Sequence, residues 1–169
     1  MADVFVSFIH EEQRVADAVQ RFLRTHLQRD VFISANPWQV YAGEDWLQRI
    51  RQELEACRVV ILMLSPASVG RPWINFEAGA AWLAGKVVIP VCFGGLRANG
   101  LPKPYSNLQG LELPDGAYYL FMSVAHHLEP QMMVPPPFAP WGEETRAIRE
   151  AVEALGGVEQ ADEADGSLR

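Results

Sequence analysis

The chain is poor in several things, and each shortage excludes a class of protein. Only two of its 169 residues are lysine, Lys86 and Lys103, and 14 Lys+Arg face 21 Asp+Glu for a net charge of −7. So little positive charge makes nucleic acid a poor partner, because phosphate binding needs a basic surface. Only two cysteines are present, Cys57 and Cys92, each inside an apolar run. That is too few, too far apart, for a disulfide framework or a cysteine-based metal centre, and two buried thiols in a reducing compartment are expected. The longest unbroken apolar run, Val59–Leu64, cannot span a bilayer. The opening MADVFVSF has no basic segment ahead of a long apolar stretch, as a signal peptide requires, so a cytoplasmic, soluble protein without membrane contact is expected. There is no Walker A loop, GxGxxG, HExxH, CxxC or GxSxG.

What remains is an ordinary globular composition, 49% hydrophobic and 21% charged, of a length suited to one domain. Residues 156–169 carry four acids and one arginine, and the preceding 155 residues hold 13 basic against 17 acidic groups. This places a folded unit over 1–155 and an acidic tail, expected to be disordered, over 156–169. A proline-rich stretch, 130–140, should form an extended connector to a last helix over Glu143–Leu155.

Within the folded unit, strand and helix patterns alternate. Val4–Phe8, Val31–Ser34, Val59–Leu64 and Val87–Phe93 read as strands, and Tyr118–Phe121 as a fifth. Glu11–Leu27 places Val15, Ala18, Val19, Phe22, Leu23 and Leu27 at helical spacing. A second helix opens at Glu44-Asp45, with Trp46, Leu47, Ile50, Leu54 and Cys57 on one stripe. A third begins at Pro72 and closes at Gly85. Residues 94–116 read as connecting loop. Such alternation predicts a doubly wound α/β fold with a mostly parallel sheet, whose ligands sit outside the carboxyl ends of the strands.

Those ends, with the third helix, supply the candidate residues. The third helix is apolar on nearly every side, and Glu77 interrupts it within about 40° of Trp73 on the helical wheel. A carboxylate there either does chemistry or is neutralised by a partner such as Arg71. Trp73 and Trp38 offer flat surfaces to an aromatic ligand or simply pack. His10 contacts a ligand or opens the first helix, and Ser34 and Ser65 end strands where a hydroxyl often serves loop amides. His126-His127 beside Glu129 suggests metal only superficially, since neighbours on an extended chain point apart.

Four segments in order resemble one known family. DVFVSF (Asp3–Phe8) is similar to the first-strand box of Toll/interleukin receptor (TIR) domains, and Val31–Ile50 to their second strand, BB loop and following helix. RVVILMLSPASVGRPWINFEAGAAW (Arg58–Trp82) resembles the third strand, its serine and the third helix, and GKVVIPVCF (Gly85–Phe93) the fourth strand. WINFEAGAAW is most similar to bacterial members. The resemblance implies a flavodoxin-like five-stranded parallel sheet with helices on both faces. It further implies cleavage of NAD as a substrate, with no separate cofactor or metal, and a role in bacterial anti-phage defence or as an effector. In NAD-cleaving members a glutamate follows a tryptophan by four residues on the third helix, here Trp73 and Glu77, which makes Glu77 the expected catalytic residue. Phe8, Ile9 and His10 then fall in a loop lining the nicotinamide and ribose site, with Ser34, Trp38, Trp46 and Ser65 as further substrate contacts. Ser34 stands where many members have an acid, and the BB loop, Ala35–Gly43, lacks the Arg-Asp…Pro-Gly pattern of animal receptor adaptors. Partners implied are a second copy of the chain and a separate sensor or effector chain. A non-catalytic TIR adaptor is the alternative, and a deoxyribosyltransferase-like enzyme a third reading.

Overall fold

In a computed structural model, residues 2–34, 46–131 and 142–166 are described. Trp38 and the BB loop, together with most of the proline-rich connector, lie outside them.

The first strand, β1 (Val4–Ser7), is buried at every position because it lies in the middle of the sheet. A single 3-10 turn, His10–Glu12, leads into α1 (Gln13–Leu27), whose Val15, Val19, Phe22 and Leu23 form the expected inward stripe. Then follow β2 (Val31–Ile33), α2 (Trp46–Ala56) and β3 (Val59–Leu64). The uniformly apolar sequence of β3 suits its place between two other strands, under helices on both faces. Pro72 opens α3 (Pro72–Leu83), and the chain leaves it at Gly85, whose φ of +69° is a backbone state that disfavours other residues. The last elements are β4 (Val87–Cys92), β5 (Leu111–Glu112), α4 (Ala117–Leu128) and α5 (Gly142–Gly166).

All five strands are parallel, in the order β2-β1-β3-β4-β5. This is the flavodoxin-like order, and it reverses direction between β1 and β3. The sheet divides the core in two. Val4, Val6, Ile61 and Met63 face α1, α4 and Ile148 of α5, while Phe5, Val60, Leu62 and Leu64 face α2 and α3. Cys57 and Cys92 are free and buried as expected, and burial pushes both thiols up to about 11.

Several expectations need correction. Tyr118–Phe121 is the start of α4 and not a strand, and the fifth strand lies in the stretch expected to be loop. Over a longer window the reason is plain: Ala117, Leu120, Phe121, Val124, Ala125 and Leu128 are buried at helical spacing. His126 and His127 therefore sit in the last turn of α4, rings 5.3 Å apart, and not on an extended chain. Their side chains are exposed, while the carbonyls of His127 and Leu128 accept hydrogen bonds from Arg58. Among the described residues no His, Cys, Asp and Glu cluster could hold a metal ion. Leu47 was expected on the inward stripe of α2 but is exposed. The last helix runs to Gly166, so residues 156–166 are helical where a disordered tail was expected. Its Glu, Gln and Ala content and its lack of proline favour helix despite the acidity.

Candidate active site at the carboxyl edge of the sheet

Strand alternation decides which side chains meet at the top of the sheet. Ser7 continues the Phe5 side of β1, toward α3, and Ser65 continues the Ile61 and Met63 side of β3, toward α1. Each serine meets one buried carboxyl group, so the two faces of the sheet carry one such pair each.

On the α3 face, the Ser7 hydroxyl donates to Oε2 of Glu77. Glu77 has no exposed area, and its Oε1 is buried without a hydrogen-bond partner. Desolvation raises its pKa from 4.5 to about 7, against opposing hydrogen bonds from Ser7 and, secondarily, the Trp73 side chain. Arg71 does not neutralise it: that guanidinium lies 3.3 Å from Glu11 and bonds the Ala67 carbonyl. Trp73, one turn before Glu77, is partly buried with its ring 5.3 Å from that of Phe76. Ile9 and Trp73 pack against the same half of the core. The Ser7–Glu77 pair thus stands at the β1/β3 boundary, where the direction of strand succession reverses and a ligand crevice is expected.

On the α1 face, the Ser65 hydroxyl donates to Oε1 of Glu12 at 2.5 Å and accepts from the Ala67 N–H at 3.0 Å. The Ser68 hydroxyl accepts from the Ser65 N–H at 2.8 Å. Glu12 is fully buried, its Oε2 has no partner, and desolvation raises its pKa. This cluster ties the β1–α1 turn to the loop after β3.

The candidate residues therefore divide. Glu77, Trp73 and Ile9 share one face. Phe8 is buried in the opposite half of the core, and Ser65 belongs to the Glu12 cluster. His10 is exposed in the 3-10 turn, and Ser34 is buried at the end of β2 with its N–H on the Val6 carbonyl at 2.8 Å. Trp46 opens α2, its side chain outside the described residues. Two residues, Ser7 and Glu12, escaped the sequence reading. Both left a signal: Ser7 shares the Phe5 side of a fully buried strand, and Glu12, just ahead of α1, extends the inward stripe of Val15, Ala16 and Val19.

Comparison with known proteins bears on the fold and family. The chain is similar to a metazoan TIR-STING receptor from C. gigas, with a TM-score of 0.60 and 18% identity over 74% of this chain, which spans 40% of the receptor chain. It is also similar to the TIR domain of a Toll-related receptor from Hydra magnipapillata, with a TM-score of 0.58 and 15% identity, covering 73% of this chain and 98% of that domain. The TIR domains of the activated Roq1 resistosome align with a TM-score of 0.50 and 12% identity, over 92% of this chain and 99% of the other. At these identities the likeness shows the fold alone. No curated protein matches this chain. Family assignment comes from the sequence itself: residues 4–119, more than half of the chain, match the family described as TIR domain, and the protein belongs to that family.

Proposed function

We propose that this TIR domain cleaves the nicotinamide–ribose bond of NAD, with Glu77 as the catalytic residue. The observation that carries the reading is a buried carboxyl group, one oxygen unpartnered and its pKa raised to about 7, at the ligand-binding edge of the sheet. An unpartnered buried oxygen is costly for the fold, and a substrate group that meets it would repay the arrangement.

The chemistry follows from charge. The nicotinamide ring of NAD is cationic and leaves as a neutral molecule, taking the electron pair of the glycosidic bond. Positive charge then develops on the ribose, and an ionised carboxylate beside it stabilises that oxocarbenium-like state. Water adds to the ribose carbon and loses a proton to give ADP-ribose; attack by the adenine gives a cyclic product. The leaving group needs no protonation, so one carboxylate suffices. Ser7 holds Oε2 and leaves Oε1 for the ribose, while Trp73 borders the carboxyl group. Because Glu77 has no exposed area, substrate reaches it only when the covering side chains move apart.

The test is chromatography of NAD incubated with concentrated protein, wild type beside Glu77→Gln. Nicotinamide released only by the wild type supports the proposal, and equal release by both refutes it. Absence of release from either favours the second reading, a non-catalytic TIR module acting through self-association or a sensor chain. That reading draws on α3, which leaves Phe76, Trp82 and Leu83 exposed at 53%, 65% and 91%. Among the described residues no helix is long and apolar enough to cross a membrane. We place the protein in the cytoplasm, where NAD is available, acting in bacterial anti-phage defence or as an effector.

A further inference from the structure

A cavity of about 410 Å³ opens beside α3, between the helix, β4 and the connection that leads to β5. It is separate from the Glu77 carboxyl group. At 100° per residue, Asn75 and Gly79 lie about 160° around the helix from Glu77, and both line the cavity. Trp82, Val88, Tyr105 and Leu108 supply apolar walls, and Lys103 stands among the lining residues. The volume falls within the range of small-molecule sites, and the walls have their usual character, apolar with a few polar groups.

Three details point to an occupant. Gly79 sits inside a helix, where glycine is about 1 kcal/mol less favourable than alanine. A Cβ built there would meet nothing within 4 Å, so the glycine borders open space and is not demanded by close packing. The Tyr105 hydroxyl donates to Asn75 Oδ1, which ties the connection to α3, while Trp82, two turns along the same side of α3, is 65% exposed. Lys103 makes no ion pair among the described residues, and none of the lining residues is acidic. A lone cation beside an aromatic-walled cavity, on a chain of net charge −7, selects for an anion there.

We propose that this cavity binds a small planar apolar molecule carrying one negative charge, an aromatic carboxylate or sulfonate by chemical class. Its ring lies between Trp82 and Tyr105, and its anionic group meets Lys103. The proposal does not rest on NAD cleavage.

The test uses 1-anilinonaphthalene-8-sulfonate, followed by fluorescence with the full chain at neutral pH, beside the uncharged N-phenyl-1-naphthylamine. The wild type should bind the sulfonate at one saturable site. Gly79→Leu fills the cavity and should weaken both dyes by about tenfold or more, the equivalent of about 1.4 kcal/mol. Lys103→Gln should weaken the sulfonate several-fold and leave the uncharged dye unchanged. Trp82→Ala, at an exposed position, should weaken both dyes and stands in for Gly79→Leu if circular dichroism shows that variant unfolded. Wild-type affinity in the cavity variant, or equal loss of both dyes in Lys103→Gln, overturns the proposal.

Discussion

Replacing Glu77 by Gln should make the protein more stable, and by an amount that depends on pH. The folded state raises the Glu77 pKa from 4.5 to about 7, chiefly by desolvation. At about 1.4 kcal/mol per unit, keeping this carboxylate ionised in the fold costs about 3 kcal/mol relative to the unfolded chain. The sign follows from linkage. A raised pKa contributes stability that is fully present below about pH 4.5 and is lost as pH rises through about 7. Glutamine keeps an oxygen for the Ser7 hydroxyl and never ionises, so the variant lacks this loss. Its advantage over the wild type should grow by about 2 to 3 kcal/mol between pH 5 and pH 9, or about 4 to 12 °C in Tm for a chain of this size. Thermal unfolding of both proteins at the two pH values, followed by circular dichroism, measures the difference directly. The comparison across pH cancels whatever the substitution does to packing. A difference in Tm that is the same at pH 5 and pH 9 would refute the claim that Glu77 is buried with a raised pKa. The same substitution should abolish nicotinamide release, so stability and activity would move in opposite directions at one residue.

Other outcomes follow from the same geometry. NAD cleavage by the wild type should rise with pH through about 7 as Glu77 ionises, and a pH-rate profile flat from 5 to 9 would contradict the assigned role. Ser7→Ala removes a hydrogen bond that favours the ionised form, so the rise should move to higher pH, as a pH-rate profile of that variant will show. Ser65→Ala takes a donor from buried Glu12 and should destabilise the fold by about 1 to 3 kcal/mol in denaturant unfolding, because a buried acceptor loses its partner. Phe121→Ala should cost about 3 to 5 kcal/mol in the same assay, since its fully buried ring meets Phe22 and His26.

The fold class was legible in the amino-acid pattern, because hydrophobic periodicity and turn chemistry are local properties. The uninterrupted apolar β3, Pro72 and Gly85 around α3, and the inward stripe of α1 all stand where the pattern placed them. Glu77 was legible for the same reason: a carboxylate in an otherwise apolar helix demands an explanation, and the family boxes offered one. The pattern failed where an element was too short to carry a period. Two residues of β5 give no alternation, and four apolar residues at the start of α4 mimic a strand. What each carboxyl group meets depends on contacts between distant parts of the chain. Ser7 and Glu77 are 70 residues apart, and Glu12 and Ser65 are 53 apart. Their pairing depends on strand order and on which face each strand turns to each helix. No local rule brings Glu12 to Ser65, sends Arg71 to Glu11 and away from Glu77, or opens a cavity along the Gly79 side of α3. The serine–carboxyl pairings come from the close approach of β1 and β3, which the parallel sheet imposes on segments remote in the chain, and the cavity from the packing of α3 beside β4 and the connection to β5.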